Sequence, residues 1–140
     1  MKRTFAVLVM VLCLSVLVAE AANPPAQGDG NAVILYYFHR TQRCSGCRNA
    51  ETRTFEAAKE AFAVQIDKGL LVLKSVAVDG SDDERKLAAE FGAFGPSVFI
   101  AYTTGGKPAR VGLDRMWEKL REGADSYKTY VIENVRKTLP

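Results

Sequence analysis

Ala32-Val33-Ile34-Leu35-Tyr36-Tyr37-Phe38 is an unbroken run of apolar, β-branched and aromatic residues. A strand with one wet face alternates apolar and polar side chains; a run without polar breaks suits a strand covered on both faces. A chain built on such a strand must supply a layer of packing above it and another below. The 140 residues suffice for one domain of that kind and are too few for two comfortable ones. The run therefore predicts an α/β fold with helices on both faces of a sheet.

The rest of the chain supplies the layers. A helix is predicted over residues 47–67, with Phe55, Ala58, Phe62 and Ile66 on one stripe at spacings of three and four. Gly69 ends it, and residues 70–78 form a second strand with polar breaks at Lys74 and Ser75. Ser81-Asp82-Asp83-Glu84 is a capping-box pattern. The helix it opens turns Leu87, Ala88 and Phe91 inward and stops at Gly92. After Gly95-Pro96, residues 97–102 read as a third strand, with a hairpin turn at Gly105-Gly106 and a short fourth strand over 109–111. Two helical pieces close the chain. Asp114 is a cap for the first, which carries Trp117 and Leu120. Asp125 or Ser126 is a cap for the second, whose stripe is Tyr127, Val131, Val135 and Leu139. Tyr36, Tyr37, Phe55, Phe62 and Trp117 are expected in the core. The order is β-α-β-α-β-β-α. The first three strands, joined by helical crossovers, are expected to be parallel and the fourth antiparallel, giving a four-stranded mixed sheet.

The N-terminus is different. Lys2 and Arg3 precede an apolar stretch over residues 5–18, and Ala19-Glu20-Ala21 places small residues where a signal peptidase reads. Residues 1–21 are thus expected to be a signal peptide, 22–31 a Pro/Gly-rich linker and 32–140 the domain. The stretch is short for a membrane span, so membrane contact is expected only through an uncleaved leader. Removal of the leader takes Cys13 with it and leaves Cys44 and Cys47 in a compartment that permits disulfides. The formal charge of +3, without a basic stripe, argues against nucleic acid.

His39-Arg40-Thr41-Gln42-Arg43-Cys44-Ser45-Gly46-Cys47-Arg48 follows the first strand and enters the first helix. Cysteines three apart on a helical turn are close enough to bridge. The first lies where unpaired amides and the helix dipole favour a thiolate, the form that attacks a disulfide. Arg40, Arg43 and Arg48 can add positive charge. The second, turned inward, is placed to resolve a mixed disulfide. This gives Cys44 as nucleophile and Cys47 as resolver. A structural staple is the competing reading, weakened by the small ring, which constrains the unfolded chain little. A closed zinc site needs four ligands, more than these cysteines and His39 provide. Haem attachment needs histidine where Arg48 stands. Two thiolates can hold Cu(I), but the small ferredoxin-like copper chaperones place two strands in a row after their first helix, where this chain has a capped helix. No resident metal or cofactor is expected beyond the Cys44–Cys47 disulfide.

Cys44-Ser45-Gly46-Cys47 after a hydrophobic strand, Pro96 at the third strand and the Gly105-Gly106 hairpin together resemble the thioredoxin-like superfamily, over Asn31 to about Pro140, nearly all of the expected mature chain. The resemblance implies a cis Gly95–Pro96 bond facing the cysteine pair and lining a substrate groove. The run VILYYFHRTQRCSGCRNAE is similar to small exported proteins of the ArsF-like, nitroreductase-associated family. The sequence departs from thioredoxins at three places. Arg43 stands for the tryptophan before the first cysteine, Ser45-Gly46 for Gly-Pro between the cysteines, and Phe38 for the buried aspartate. His39 is then the nearest group for proton transfer, with Arg43 and Arg48 able to tune the thiols. The function expected is an exported thiol–disulfide oxidoreductase of a bacterial periplasm or cell envelope. Its partner would be a protein thiol or disulfide, with a membrane electron donor as a further candidate. The alternative is a non-catalytic accessory or soft-metal-binding module. The sequence leaves the oligomeric state open.

Overall fold

The computed structural model describes residues 31–140. The signal peptide and nearly all of the linker expected from the sequence lie outside the described residues. The elements run β1 (Val33–His39), α1 (Ser45–Ala61), α2 (Ala63–Asp67), β2 (Leu71–Ala77), α3 (Asp82–Phe91), β3 (Ser97–Thr104), β4 (Lys107–Gly112), α4 (Met116–Glu122) and α5 (Ala124–Arg136). The strands form one four-stranded mixed sheet in the order β2-β1-β3-β4. The architecture is α/β and compatible with a thioredoxin-like fold.

β1 is buried along its whole length, as its composition requires. Val33, Leu35 and Tyr37 join one core with Ala50, Ala57 and Ala58 of α1 and Tyr127, Val131 and Val135 of α5. Ile34, Tyr36 and Phe38 join the other, with Ala88 of α3 and, beside it, Phe91 and Phe99. Period-two alternation sends successive β1 side chains to opposite faces, and each face meets its own helices. Phe38, Phe91 and Phe99 pack with ring centroids 5.4–5.8 Å apart, the tilted and edge-on arrangements that aromatic quadrupoles favour.

The strand directions correct the sequence expectation. β1 and β2 are parallel, but β3 runs antiparallel to β1, with Phe38 opposite Ser97, and β4 antiparallel to β3. The end of β2 and the start of β3 thus lie at the same end of the sheet. A ten-residue α3 spans about 15 Å. That is enough to carry the chain sideways over β1, about two strand spacings of 4.8 Å each. The helix moves the chain across the sheet instead of returning it along the strands, so β3 enters reversed.

The helical segment after the motif is also divided. Phe62 leaves the α-helical region (φ −132°, ψ 31°) and buries its ring, separating α1 from α2. β4 is longer than expected. Gly105 and Gly106 take φ of 55° and 73°, as a two-residue type I′ turn requires. At α3 the capping box is complete: Ser81 Oγ accepts from Glu84 N–H, and the Glu84 carboxylate accepts from Ser81 N–H. A Ser81→Ala substitution is expected to cost about 1 kcal/mol, read as a lower urea midpoint at unchanged m-value. The caps expected for the last helices are not used: Arg115 and Gly123 stand at the cap positions, without side-chain bonds. Tyr127 and Thr54, both fully buried, join their hydroxyls 2.6 Å apart, and Thr54 donates to the Ala50 carbonyl 2.7 Å away. With the Thr54 proton so committed, Tyr127 is the donor to Thr54. Burial pushes the Tyr127 phenol up to about 12, so it remains a donor. This pair pins α5 to α1.

Candidate functional site

Cys44 is the N-cap of α1, extended at φ −76° and ψ 162°. Its Sγ accepts a hydrogen bond from Cys47 N–H at 3.1 Å. The two cysteines form a disulfide, with Cα atoms 5.2 Å apart. Cys44 is exposed and Cys47 half-buried. One turn of helix therefore presents one sulfur to solvent and keeps the other against the protein, as the spacing predicts. Beneath them Tyr37 donates from its hydroxyl to the Cys47 carbonyl at 2.9 Å. Burial, then the neighbouring Tyr127 and Glu51, hold that phenol well above its ordinary value, with Arg43 opposing. Tyr37 thus stays protonated and ties the central strand to the motif.

The loop from His39 to Cys44 is tied down on both sides. Thr41 donates its N–H to Asp79 at 2.7 Å and its hydroxyl to the same carboxylate at 3.2 Å. Arg40 reaches the Phe94 carbonyl at 3.4 Å. Arg43 turns inward, where its guanidinium meets His39, Glu51 and Ser75 Oγ. Ser75 also donates to Glu51. The side chains of Arg43 and Glu51 are 27% and 13% exposed, so this ion pair is shielded more than a surface pair.

Both ring nitrogens of His39 face the Arg43 guanidinium: Arg43 Nε donates to Nδ1 at 3.1 Å, and a terminal guanidinium nitrogen meets Nε2. Nδ1 also lies 2.8 Å from the Arg40 carbonyl. His39 is buried. Its hydrogen bonds, and those of Arg43 and Arg48, go to the loop, to one another and, from Arg43, to Glu51 and Ser75, rather than to either sulfur. Arg48 reaches the Arg43 carbonyl at 2.8 Å.

Pro96 requires a correction. Among the described residues no peptide bond is cis, so Gly95–Pro96 is trans. The trans isomer is favoured by about 0.5–1 kcal/mol at X–Pro bonds. Nothing crowds Gly95 here: a Cβ built on it meets open space. Gly95 and Pro96 nevertheless stand at the motif's end of the sheet, since Ser97 pairs with Phe38. Trp117 is corrected too. It is 40% exposed, while its neighbour Met116 is buried. On a helix only two turns long, one apolar side chain faces the core, and the adjacent Met116, about 100° round the helix from Trp117, takes that position.

Several site residues escaped the sequence reading. Glu51 lies four residues after Cys47, on the same helix face, a signal the helical period carries. Ser75 and Asp79 reach the site through the parallel register that sets Ser75 beside Tyr37 and Ala77 beside His39, which spacing does not show. Among the described residues no group of three or more His, Cys, Asp or Glu is arranged to hold a metal ion, and no helix is long and apolar enough to cross a membrane.

The Asp79 clamp has a pH signature. The Thr41 N–H, assisted by the Thr41 hydroxyl, holds the Asp79 carboxyl below the usual carboxylate range. Hydrogen bonds from Ser81 N–H, then Ala77 N–H, do the same to Glu84. A lowered folded-state value contributes stability above the unfolded carboxylate value of about 4. That stability is lost as pH falls through the folded value. The Thr41 amide is expected to lose protection from hydrogen exchange below about pH 4. In Asp79→Asn it should be weakly protected at neutral pH already, without that acid step.

A scan against protein-family models finds no match to the chain, and a search of curated proteins finds none either.

Proposed function

We propose that this α/β protein is a thiol–disulfide oxidoreductase that exchanges its Cys44–Cys47 disulfide with a partner protein. The observation that carries the reading is the inequality of the two sulfurs. An exposed Cys44 at the first turn of α1 is joined to a half-buried Cys47. A ring of this size closes a short loop and stabilises the fold by only about 2 kcal/mol, which is little reason to keep a disulfide for structure alone. The narrower likeness to exported ArsF-like proteins, and with it a place in a bacterial envelope, rests on residues 33–51 and on the leader expected at 1–21.

The step balances as follows. A partner thiolate attacks the accessible Cys44 Sγ; the Cys44–Cys47 bond breaks and Cys47 leaves as thiolate. The partner's second thiolate attacks the partner sulfur bonded to Cys44; the partner's own disulfide forms, the mixed disulfide breaks and Cys44 leaves as thiolate. Two electrons pass to this protein and the partner gains a disulfide; both departing thiolates take protons from solvent. The reverse sequence reduces a partner. In either direction, the Cys47 N–H that bonds Cys44 Sγ and the N-terminal dipole of α1 stabilise a Cys44 thiolate. Electrons for a reducing role would come from a separate donor, a membrane-bound one being a candidate.

The test is the reduction potential of the pair together with a Cys47→Ala trap in the full chain. A potential above about −300 mV and a stable mixed disulfide on Cys44 are expected. A potential below that value with nothing trapped would be a structural disulfide and would overturn the proposal.

A further inference from the structure

The groove beside the motif has a charge and a shape that the exchange chemistry does not require. It encloses about 340 Å³ and is lined by Gly46, Asn49 and Arg53 of the motif helix and by Trp117, Leu120 and Arg121 of α4. Gly46 lies between the two cysteines in sequence, and a side chain there would come within 3.9 Å of Cys44 Sγ, so the groove begins beside the exposed sulfur, although neither cysteine lines it. Its apolar part is Trp117 and Leu120. Its charged part is two arginines, and no acidic side chain lines it.

The nearby acids of α4 are already engaged. Glu118 is held by Arg115 at 2.9 Å, and Glu122 by Lys119 at 2.6 Å and by Ser126. Arg115 foremost, and Arg121 further down, lower the Glu118 carboxyl. Arg53 bonds Asn49 Oδ1 at 3.1 Å. Among the described residues neither Arg53 nor Arg121 has an ion-pair partner within 4 Å. Among the described residues three large apolar side chains are exposed, and two of them flank the motif. Val64 is on α2. The other two are Trp117 in this groove and Phe94, 82% exposed, on the loop tied to Arg40.

We infer that this groove docks an extended acidic segment of the partner protein, with an apolar side chain beside the reactive cysteine. The inference rests on the oxidoreductase reading for the cysteine. In an extended segment, side chains two apart point the same way, about 7 Å from each other. A cysteine opposite the exposed Cys44 then puts the apolar residue two positions along into the Trp117–Leu120 floor. Carboxylates flanking that residue meet Arg53 and Arg121. Charges of this kind act mainly on selection and association rate.

Trp117 is the sole tryptophan of the chain, so its fluorescence reports the groove. The probes are two blocked synthetic peptides with serine in place of the cysteine. One has leucine two positions on, flanked by glutamates, and the other has lysines in their place. Titrated into the full chain at low salt, the glutamate peptide is expected to bind at least about tenfold more tightly. That preference should shrink as ionic strength rises, and R53E/R121E should reverse it. Equal binding of the two peptides, or no change in Trp117 emission with either, overturns the inference. So does self-association that R53E/R121E abolishes, which would assign the groove to a second copy. Exchange with the uncharged bis(2-hydroxyethyl) disulfide is measured in parallel. Exchange without peptide preference removes the docking surface and leaves the oxidoreductase. Selective binding without exchange removes the oxidoreductase and leaves the docking surface.

Discussion

Cys44→Ser is expected to abolish thiol–disulfide exchange, by at least about a thousandfold against a model disulfide, while the fold persists. Cys44 provides the sulfur that a partner can reach, and Cys47 is half-buried behind it. The structural side of the substitution is mild for two reasons. Serine is a good N-cap, and its hydroxyl can accept the Cys47 N–H that Cys44 Sγ now accepts. The loop lost is short, so its opening costs about 2 kcal/mol in the chain-entropy account. Far-UV circular dichroism should be unchanged and the urea midpoint modestly lowered. Retention of exchange through Cys47 alone would contradict the assignment of roles.

Phe38→Ala is expected to be the most damaging single core change near the site, costing about 3–5 kcal/mol. Phe38 is fully buried between Tyr36, Phe91 and Phe99. Its removal leaves a cavity that those rigid rings cannot collapse to fill. Domains of this size hold about 5–15 kcal/mol in total. The thermal midpoint should drop on the order of 15 °C, or the variant should fail to accumulate as folded protein. The change also reaches the motif, because β1 leads directly into it. In the surviving folded fraction, the Thr41 amide should lose protection before that of Tyr37. A loss under 1 kcal/mol would mean that the second core is not closed around this ring.

Much of the fold was legible because its signals are local. The run from Val33 to Phe38 demanded two covered faces and obtained them. Ser81 with Glu84, Gly92, and the Gly105-Gly106 pair each specify a backbone conformation by chemistry within a few residues. Tyr127, Val131 and Val135 mark the buried stripe of α5. The failures were non-local. The direction of β3 depends on where α3 deposits the chain, and no residue in β3 encodes direction. Trp117 against Met116 was decided by how a two-turn helix rotates onto a core already formed.

At the site, the unequal exposure of Cys44 and Cys47 followed from helical spacing alone. The surroundings of the motif did not. His39, Arg43 and Arg48 were singled out as neighbours in sequence. Only the folded chain shows that Arg43 turns inward to Glu51 and Ser75, while His39 and Arg48 meet the loop backbone. Substitutions at these positions should therefore act on the shape of the loop first and on the sulfurs through it.

The central place of β1 has a consequence for how the protein matures. Among the described residues, the first strand to be synthesised is the one whose partners come from the rest of the domain: β2, then β3, and finally α5 against one face. Loop closure must be completed over most of the sequence before this strand is covered. Cys44 and Cys47 thus spend synthesis and any translocation in a chain not yet folded, where their reactivity is that of ordinary thiols. If the oxidoreductase proposal holds, the onset of selective Cys44 labelling in the reduced protein should coincide in time with global folding.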